Sequence, residues 1–180
     1  NTIETLLEIY DREKDGRILK VLSDVKAQNA VPLLIKCLES DDRYTRVNAA
    51  KALSGIGSND AIEALVPYLK KDNDEMKSFA IEFLADTNVE HIENDLIPLL
   101  DDKDPYIRKD AALLLAKTGN EKAISFLLNL LKHDDSKERI YAAYHLGKIG
   151  INSSAAHLLK SLTDKDTRVV FAAVEALGKI

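Results

Sequence analysis

The chain of 180 residues has no tryptophan, one cysteine, one methionine, four prolines and seven glycines. Each shortage removes a class of protein. The single Cys37 can form neither an intrachain disulfide nor a multi-cysteine zinc site. With no signal-like segment, it points to a reducing, cytoplasmic setting. So little Gly and Pro excludes collagenous and linker-like chains. No apolar run approaches the roughly 20 residues that a membrane helix needs. Neither sign of charge dominates: 25 basic and 30 acidic residues leave a formal net charge of −5, with no global pull toward a phosphate backbone or an anionic membrane. What is present is a 46% hydrophobic chain, long enough to bury a core as one domain or one array of small repeats.

Sliding the chain against itself brings it into line at a shift of 31 residues. Leu22, Leu53, Leu84, Leu115, Leu146 and Leu177 fall in one column, with Ile18, Ala49, Ala80, Ala111, Ala142 and Ala173 four positions earlier. A second column runs Ile3, Leu34, Leu65, Leu96, Leu127 and Leu158; a third runs Leu7, Leu38, Leu69, Leu100, Leu131 and Leu162. No polar residue enters any of them. The units are 1–26, 27–57, 58–88, 89–119, 120–150 and 151–180, one array without a domain boundary. The chain opens at Asn1, in the column of Pro32, and is read as a fragment or processed form of a longer array.

Each unit carries two stretches with helical apolar spacing, such as Ala30, Val31, Leu34, Ile35, Leu38 and then Val47, Ala50, Leu53, Ile56. Two helices of about 11 to 14 residues per unit are expected. The turn between them ends at Asp11, Asp42, Asn73, Asp104, Asp135 or Asp166, residue types that accept bonds from the free N–H groups of a starting helix. Pro105 suits a first helical position, and Asp135 with Glu138 has capping-box spacing. Gly57, Asn88, Gly119 and Gly150 suit a left-handed stop. Pro67 and Pro98, inside first helices, are expected to kink them without ending them, because Leu69 and Leu100 keep the period. A single hairpin cannot cover its own apolar faces, so about six units must stack into an all-α solenoid.

The run Asp135-x-x-x-Arg139-x-x-Ala142-Ala143-x-x-Leu146-Gly147-Lys148-Ile149-Gly150 resembles the second half of a HEAT repeat, of the short HEAT-like type known from phycobilisome lyases. Asp104 to Gly119, with Arg108, and Asp42 to Gly57, with Arg46, repeat it, and the resemblance spans the chain. The end units depart from it, with Asp15 and Gly16 in the first and Val170 in the last where Arg and Val columns stand elsewhere. The resemblance implies an α-solenoid that most often serves as a binding scaffold. A few branches modify bilin-bearing proteins, recognise alkylated DNA or carry a di-iron hydroxylase centre.

Asp42, Asp104 and Asp135 with Arg46, Arg108 and Arg139 could pass for a row of acids and bases. The Arg column points toward the core face, so each guanidinium must meet carboxylates or carbonyls of adjacent turns, and the row is read as a structural ladder. His91, His133, His145 and His157 occupy four columns without the i, i+3 or i+4 spacing of a metal pair. No His-Glu dipeptide occurs, which removes the di-iron branch. His145 is expected to be packed or half-exposed, and Cys37 to be a small buried hydrophobe. Gly-rich phosphate loops and Gly-x-Ser-x-Gly elbows are absent. No catalytic, metal or cofactor site is expected.

What remains is surface. Positions nine, five and two before the column Leu face away from the core at about 100° per residue. They are Glu13, Arg17, Lys20; Tyr44, Asn48, Lys51; Glu75, Phe79, Glu82; Tyr106, Asp110, Leu113; Lys137, Tyr141, Tyr144; and Arg168, Ala172, Glu175. The expected concave binding face is Tyr44, Lys51, Phe79, Tyr106, Leu113, Tyr141 and Tyr144. Over the whole outward set the basic and acidic residues cancel, which disfavours nucleic acid, whose phosphates need clustered Lys and Arg. The expectation is a non-enzymatic scaffold for another protein or peptide. The alternatives are an auxiliary subunit of a bilin-lyase-like or other protein-modifying enzyme, and a HEAT-like DNA-binding repeat.

Overall fold

Helices account for every regular element among the residues described by the computed structural model, which are 2–13, 15–70, 74–85 and 92–180. Expectations resting on Asn73, Asn88 and His91, and on the side chains of Leu7, Asp11 and Glu75, lie outside the described residues. The chain divides into two compact units, Asn1–Asp110 and Ala111–Ile180.

The first unit contains α1 (Thr2–Glu13), α2 (Gly16–Asp24), α3 (Val31–Cys37), α4 (Arg43–Ile56), α5 (Asn59–Glu63), α6 (Val66–Leu69), α7 (Asp74–Leu84), α8 (Glu93–Leu96) and the start of α9 (Pro105–Lys117). Helices α2 and α3 pack on α4, while α4 and α6 pack on α7. Asp42 caps α4 by accepting the Thr45 N–H at 2.7 Å, and α4 ends at Gly57 with φ 67°. Asp104 accepts the Tyr106 N–H at 2.8 Å, with Pro105 as the first residue of α9. Leu53 and Leu84 are fully buried, as are Leu34, Leu65 and Leu96 from the first-helix column. Each contributes roughly 1.5–3 kcal/mol of transfer free energy.

Three expectations are corrected here. The first turn does not end at Asp11: α1 runs on to Glu13, and Asp15 caps α2 by accepting the Arg17 N–H at 2.9 Å. Nothing from residue 11 to residue 13 stops a helix, whereas Asp15 before Gly16 supplies a cap. The prolines interrupt their helices where kinks were expected. Helix α5 stops at Glu63 and α6 resumes at Val66, while α8 passes into a 3₁₀ turn over Ile97–Asp101. The missing N–H and the ring's crowding of the carbonyl four residues earlier account for both. Some first helices are also shorter than expected: α1 has 12 residues, but α3 has 7 and follows a 3₁₀ turn at Gln28–Ala30.

The end of α2 reaches the left-handed stop without a glycine. Lys26 has φ 49° in the column of Gly57, and its Ala27 N–H bonds the Leu22 carbonyl at 2.9 Å while its own N–H bonds Ser23 at 2.9 Å. This is the Schellman pattern.

The second unit contains the rest of α9, then α10 (Glu121–Leu130), α11 (Ser136–Ile149), α12 (Ala155–Ser161) and α13 (Thr167–Leu177). Helix α10 packs on α11, and α13 receives both α11 and α12. Asn120, Asp135 and Asp166 cap α10, α11 and α13. The Asp135 N–H donates to His133 Nδ1 at 3.1 Å. Gly119 and Gly150 take φ 84° and 80°, and the Leu115 and Leu146 carbonyls accept the Asn120 and Ile151 N–H groups at 3.2 and 3.1 Å. Leu115, Leu146, Leu127 and Leu158 are fully buried, and Leu177 is half-buried. Inside α11, Gly147 lets Ala176 of α13 come so near that no Cβ would fit between them.

Candidate functional site

The Arg column is engaged by carbonyls in the same way each time. Arg46 Nη1 donates to the Ser40 and Asp41 carbonyls, both at 2.9 Å. Arg108 Nη1 donates to those of Asp102 and Lys103 at 2.7 and 3.0 Å. Arg139 Nη1 donates to those of His133 and Asp134 at 2.8 Å. Each Arg thus closes the turn before its own helix, while Asp42, Asp104 and Asp135 serve as caps and do not pair with the Arg side chain. The link between neighbouring repeats uses a carboxylate outside the capping column. Arg139 Nε and Nη2 grip the Asp164 carboxylate at 2.7 and 2.8 Å, and the guanidinium holds that carboxyl below its usual range.

Lys77 stands in the same column and was missed by a search for Arg. Its Nζ lies 2.7 Å from Asp102 Oδ2 with both side chains buried. Burial pushes the Asp102 carboxyl up, but the Lys77 ammonium and the Asp104 N–H bring it below the usual range. Both ionic links therefore join residues 25 positions apart, an offset visible in the sequence only after one such pair is known.

Other candidate groups are occupied structurally. Cys37 is buried with Sγ 3.4 Å from Tyr10 Oη. His133 takes the Asp135 N–H described above. His145 lies between Tyr141 and Tyr144, with ring centroids at 4.4 and 4.9 Å, and burial with help from the Lys148 charge lowers its pKa to about 4. Among the described residues no group of three or more His, Cys, Asp or Glu side chains is placed to hold a metal ion.

The outward face divides into open and half-covered positions. In the first unit Tyr44 is 73% exposed and Tyr106 69% exposed, and Lys51 is exposed. Phe79 is half-buried, stacked on Phe83 with centroids 6.1 Å apart and with the Arg43 guanidinium 5.7 Å from its ring. Lys109 Nζ sits 5.0 Å from the Tyr106 ring centre. Burial raises the Asp110 carboxyl, and the Asp104 and Glu82 charges add to it.

In the second unit Tyr144 is 43% exposed with Lys179 Nζ 5.4 Å from its ring centre, while Leu113 and Tyr141 are half-buried. Ala172 is a correction: expected to face out, it is buried, because a side chain of one carbon does not reach past its neighbours. Phe171, which was assigned to no outward column, is among the most exposed apolar residues. Its column holds Ile140, Lys109 and Ser78, a mixture that carries no periodic signal.

A family model of HEAT repeats matches residues 3–85, 66–145 and 124–180. No curated protein matches the chain. Among solved structures, an engineered protein shares 24% identity at a TM-score of 0.56, covering 99% of this chain and 96% of its own. The complex of CpcE and CpcF of phycocyanin lyase from Nostoc sp. PCC7120 shares 21% at a TM-score of 0.56, covering 97% of this chain and 74% of that one. A designed armadillo repeat protein in complex with the peptide (KR)4 shares 20% at a TM-score of 0.55, covering 99% and 98%. At these identities the likeness shows the fold, which is the helical-repeat solenoid class. No helix among the described residues is long and apolar enough to cross a membrane.

Proposed function

The chain belongs to the HEAT-repeat family, and from that premise we propose that it is a non-enzymatic scaffold binding another protein or peptide through the outward face of its second helices. The observation that carries this reading is the exposure of large aromatics at repeating positions. Tyr44 and Tyr106 stand nine residues before Leu53 and Leu115, and Tyr144 stands two before Leu146; all three are open to solvent. Tyr combines a large apolar ring with a polar tip and little rotamer freedom, which suits the centre of an interface. The charged groups on this face support protein over nucleic acid. Arg17 and Arg168 are drawn onto Asp15 and Asp166, and exposed Glu82 and Glu175 oppose Lys51 and Lys137.

The test is affinity capture with the wild-type chain, identification of what is captured, and calorimetric titration against Tyr106→Ala, Tyr144→Ala and the control Lys122→Ala. Each tyrosine variant should lose about 2 kcal/mol or more of binding with little change in melting temperature. Full affinity in both would remove the outward face as the binding site. Captured duplex DNA with steeply salt-dependent affinity would favour the nucleic-acid alternative.

A further inference from the structure

The outward face of the first unit is sorted by charge as well as by side-chain size. Its second helices α4, α7 and α9 belong to the second, third and fourth repeats. On α4, the Arg43 guanidinium lies against the Phe79 ring and Arg46 is bound to turn carbonyls, which leaves Lys51 as the exposed cation. One repeat on, Glu82 of α7 takes the Lys51 position and is also exposed. Asp110 of α9 lies near enough to feel it. Partial burial of the Asp110 carboxyl raises it above its usual range, and the Asp104 and Glu82 charges raise it further against the opposing Lys109 charge.

Among the described residues, neither Glu82 nor Asp110 has an ion pair. The cation next in sequence, Lys109, has its ammonium over the Tyr106 ring at 5.0 Å. Two carboxylates facing each other without a counter-ion repel, and an added cation between them removes the repulsion. The aromatic side chains of this face suit the same charge. Phe79 and Tyr106 each meet one of the chain's own cations at their rings, and Tyr106, 69% exposed, keeps the rest of its ring open. We infer that this face receives an extended segment of a partner protein, with a Lys or Arg seated between Glu82 and Asp110 against the Tyr106 ring and an acidic residue reaching Lys51.

This rests on the reading of the outward face as a protein-binding surface and adds the chemistry of the occupant. The spacing of its charges follows from the repeat. Helices packed as α4 is on α7 stand about 8–10 Å apart, and an extended chain rises about 3.3 Å per residue. The acidic and basic residues of the segment therefore fall about three to five positions apart. A wholly basic segment would set a like charge on Lys51, and a wholly acidic one would set like charges on Glu82 and Asp110. The face thus selects for mixed charge in a fixed order, by repulsion as well as by attraction.

The experiment pans a displayed library of random short peptides against the immobilised 180-residue chain at low salt, then titrates the enriched peptides, synthesised with a dye, by fluorescence anisotropy. Enriched sequences should carry Arg or Lys with Asp or Glu three to five positions away. The double variant Glu82→Gln, Asp110→Asn, checked for helicity by circular dichroism, should weaken such a peptide about tenfold, and by less at high salt. Lys51→Ala should weaken it about threefold, yet leave unchanged a version of the peptide with Ala at its acidic position. Peptides that lose affinity in Tyr106→Ala but not in the carboxylate variant would overturn this inference and leave the outward face standing. Peptides indifferent to Tyr106→Ala would remove that face itself. Enrichment of uncharged, wholly acidic or wholly basic peptides, or no enrichment, would also overturn the inference.

Discussion

Replacing Gly147 by alanine pits two effects of known size against each other. An added Cβ would stand 2.4 Å from Ala176 Cα, 2.6 Å from its Cβ and 3.2 Å from its carbonyl carbon. Carbon atoms pack at about 3.5–4.0 Å, so α11 and α13 must part by roughly 1 Å. The facing residues Ala142, Ala143, Leu146, Ala173 and Ala176 are nearly all alanines, with no length to refill the gap. A radial gap of that size forfeits about a quarter to a half of each dispersion contact, and overpacking of this kind costs about 1–3 kcal/mol. Against it stands a gain of about 1 kcal/mol from Ala over Gly in a helix interior. The net expectation is a loss of about 1–2 kcal/mol, read as a lower urea midpoint by circular dichroism. Ser54, Ala85 and Ala116 hold the same column elsewhere, so the exclusion belongs to this helix pair and not to the repeat in general. Adding Ala176→Gly should recover part of the loss, since it removes the 2.6 Å contact but leaves the one to Cα. A Gly147→Ala chain at least as stable as the parent would refute the argument, because helix propensity would then outweigh the packing.

Three further outcomes are expected. Lys26→Gly should stabilise the chain by about 0.5–1 kcal/mol, since Lys26 holds a left-handed φ of 49° that costs a side chain but not a glycine; an unchanged urea midpoint would show that φ carries no strain. Arg108→Ala leaves the Asp102 and Lys103 carbonyls without this donor and should cost about 1–3 kcal/mol, well above the exposed control Lys122→Ala; equal losses would remove the ladder's structural role. His145 titrates near 4 in the fold against an ordinary value of 6.5 in the unfolded chain, so the unfolded state takes up the proton first as pH falls. Stability is therefore complete above about pH 6.5 and lost progressively down to about pH 4, by on the order of 1 kcal/mol after solvent screening of the half-exposed ring. His145→Phe should flatten that part of the urea-midpoint profile, and an unchanged slope would assign it to other groups.

Much of the architecture could be read directly because it is periodic or local. The three leucine columns follow from the period of a helix repeated every 31 residues, and burial of Leu53, Leu84, Leu115 and Leu146 is its consequence. Asp42, Asp104, Asp135 and Asp166 were legible as caps, and Gly57, Gly119 and Gly150 as stops, since each acts on backbone within a few residues of itself. What the repeat pattern misjudged was also partly local: the prolines ended hydrogen-bonded helix where the leucine period suggested a kink.

The candidate site was legible only in part. Composition and spacing by themselves determined that helices form, where the capped second helices from α4 onward begin, and which side of each carries its apolar residues. Which carboxylate an Arg meets depends on how far one repeat is displaced along the next, so Asp164 and the Lys77–Asp102 link emerged only from the packed helices. Tyr44 and Tyr106 reach solvent while Ala172 in the same outward set is covered, because side-chain length and the neighbouring elements decide coverage together. The same holds for Val174, whose column is buried in every earlier repeat. Its chemistry differs little from that of Ala143, but exposure belongs to the elements that stack on a residue, and only the tertiary structure supplies those.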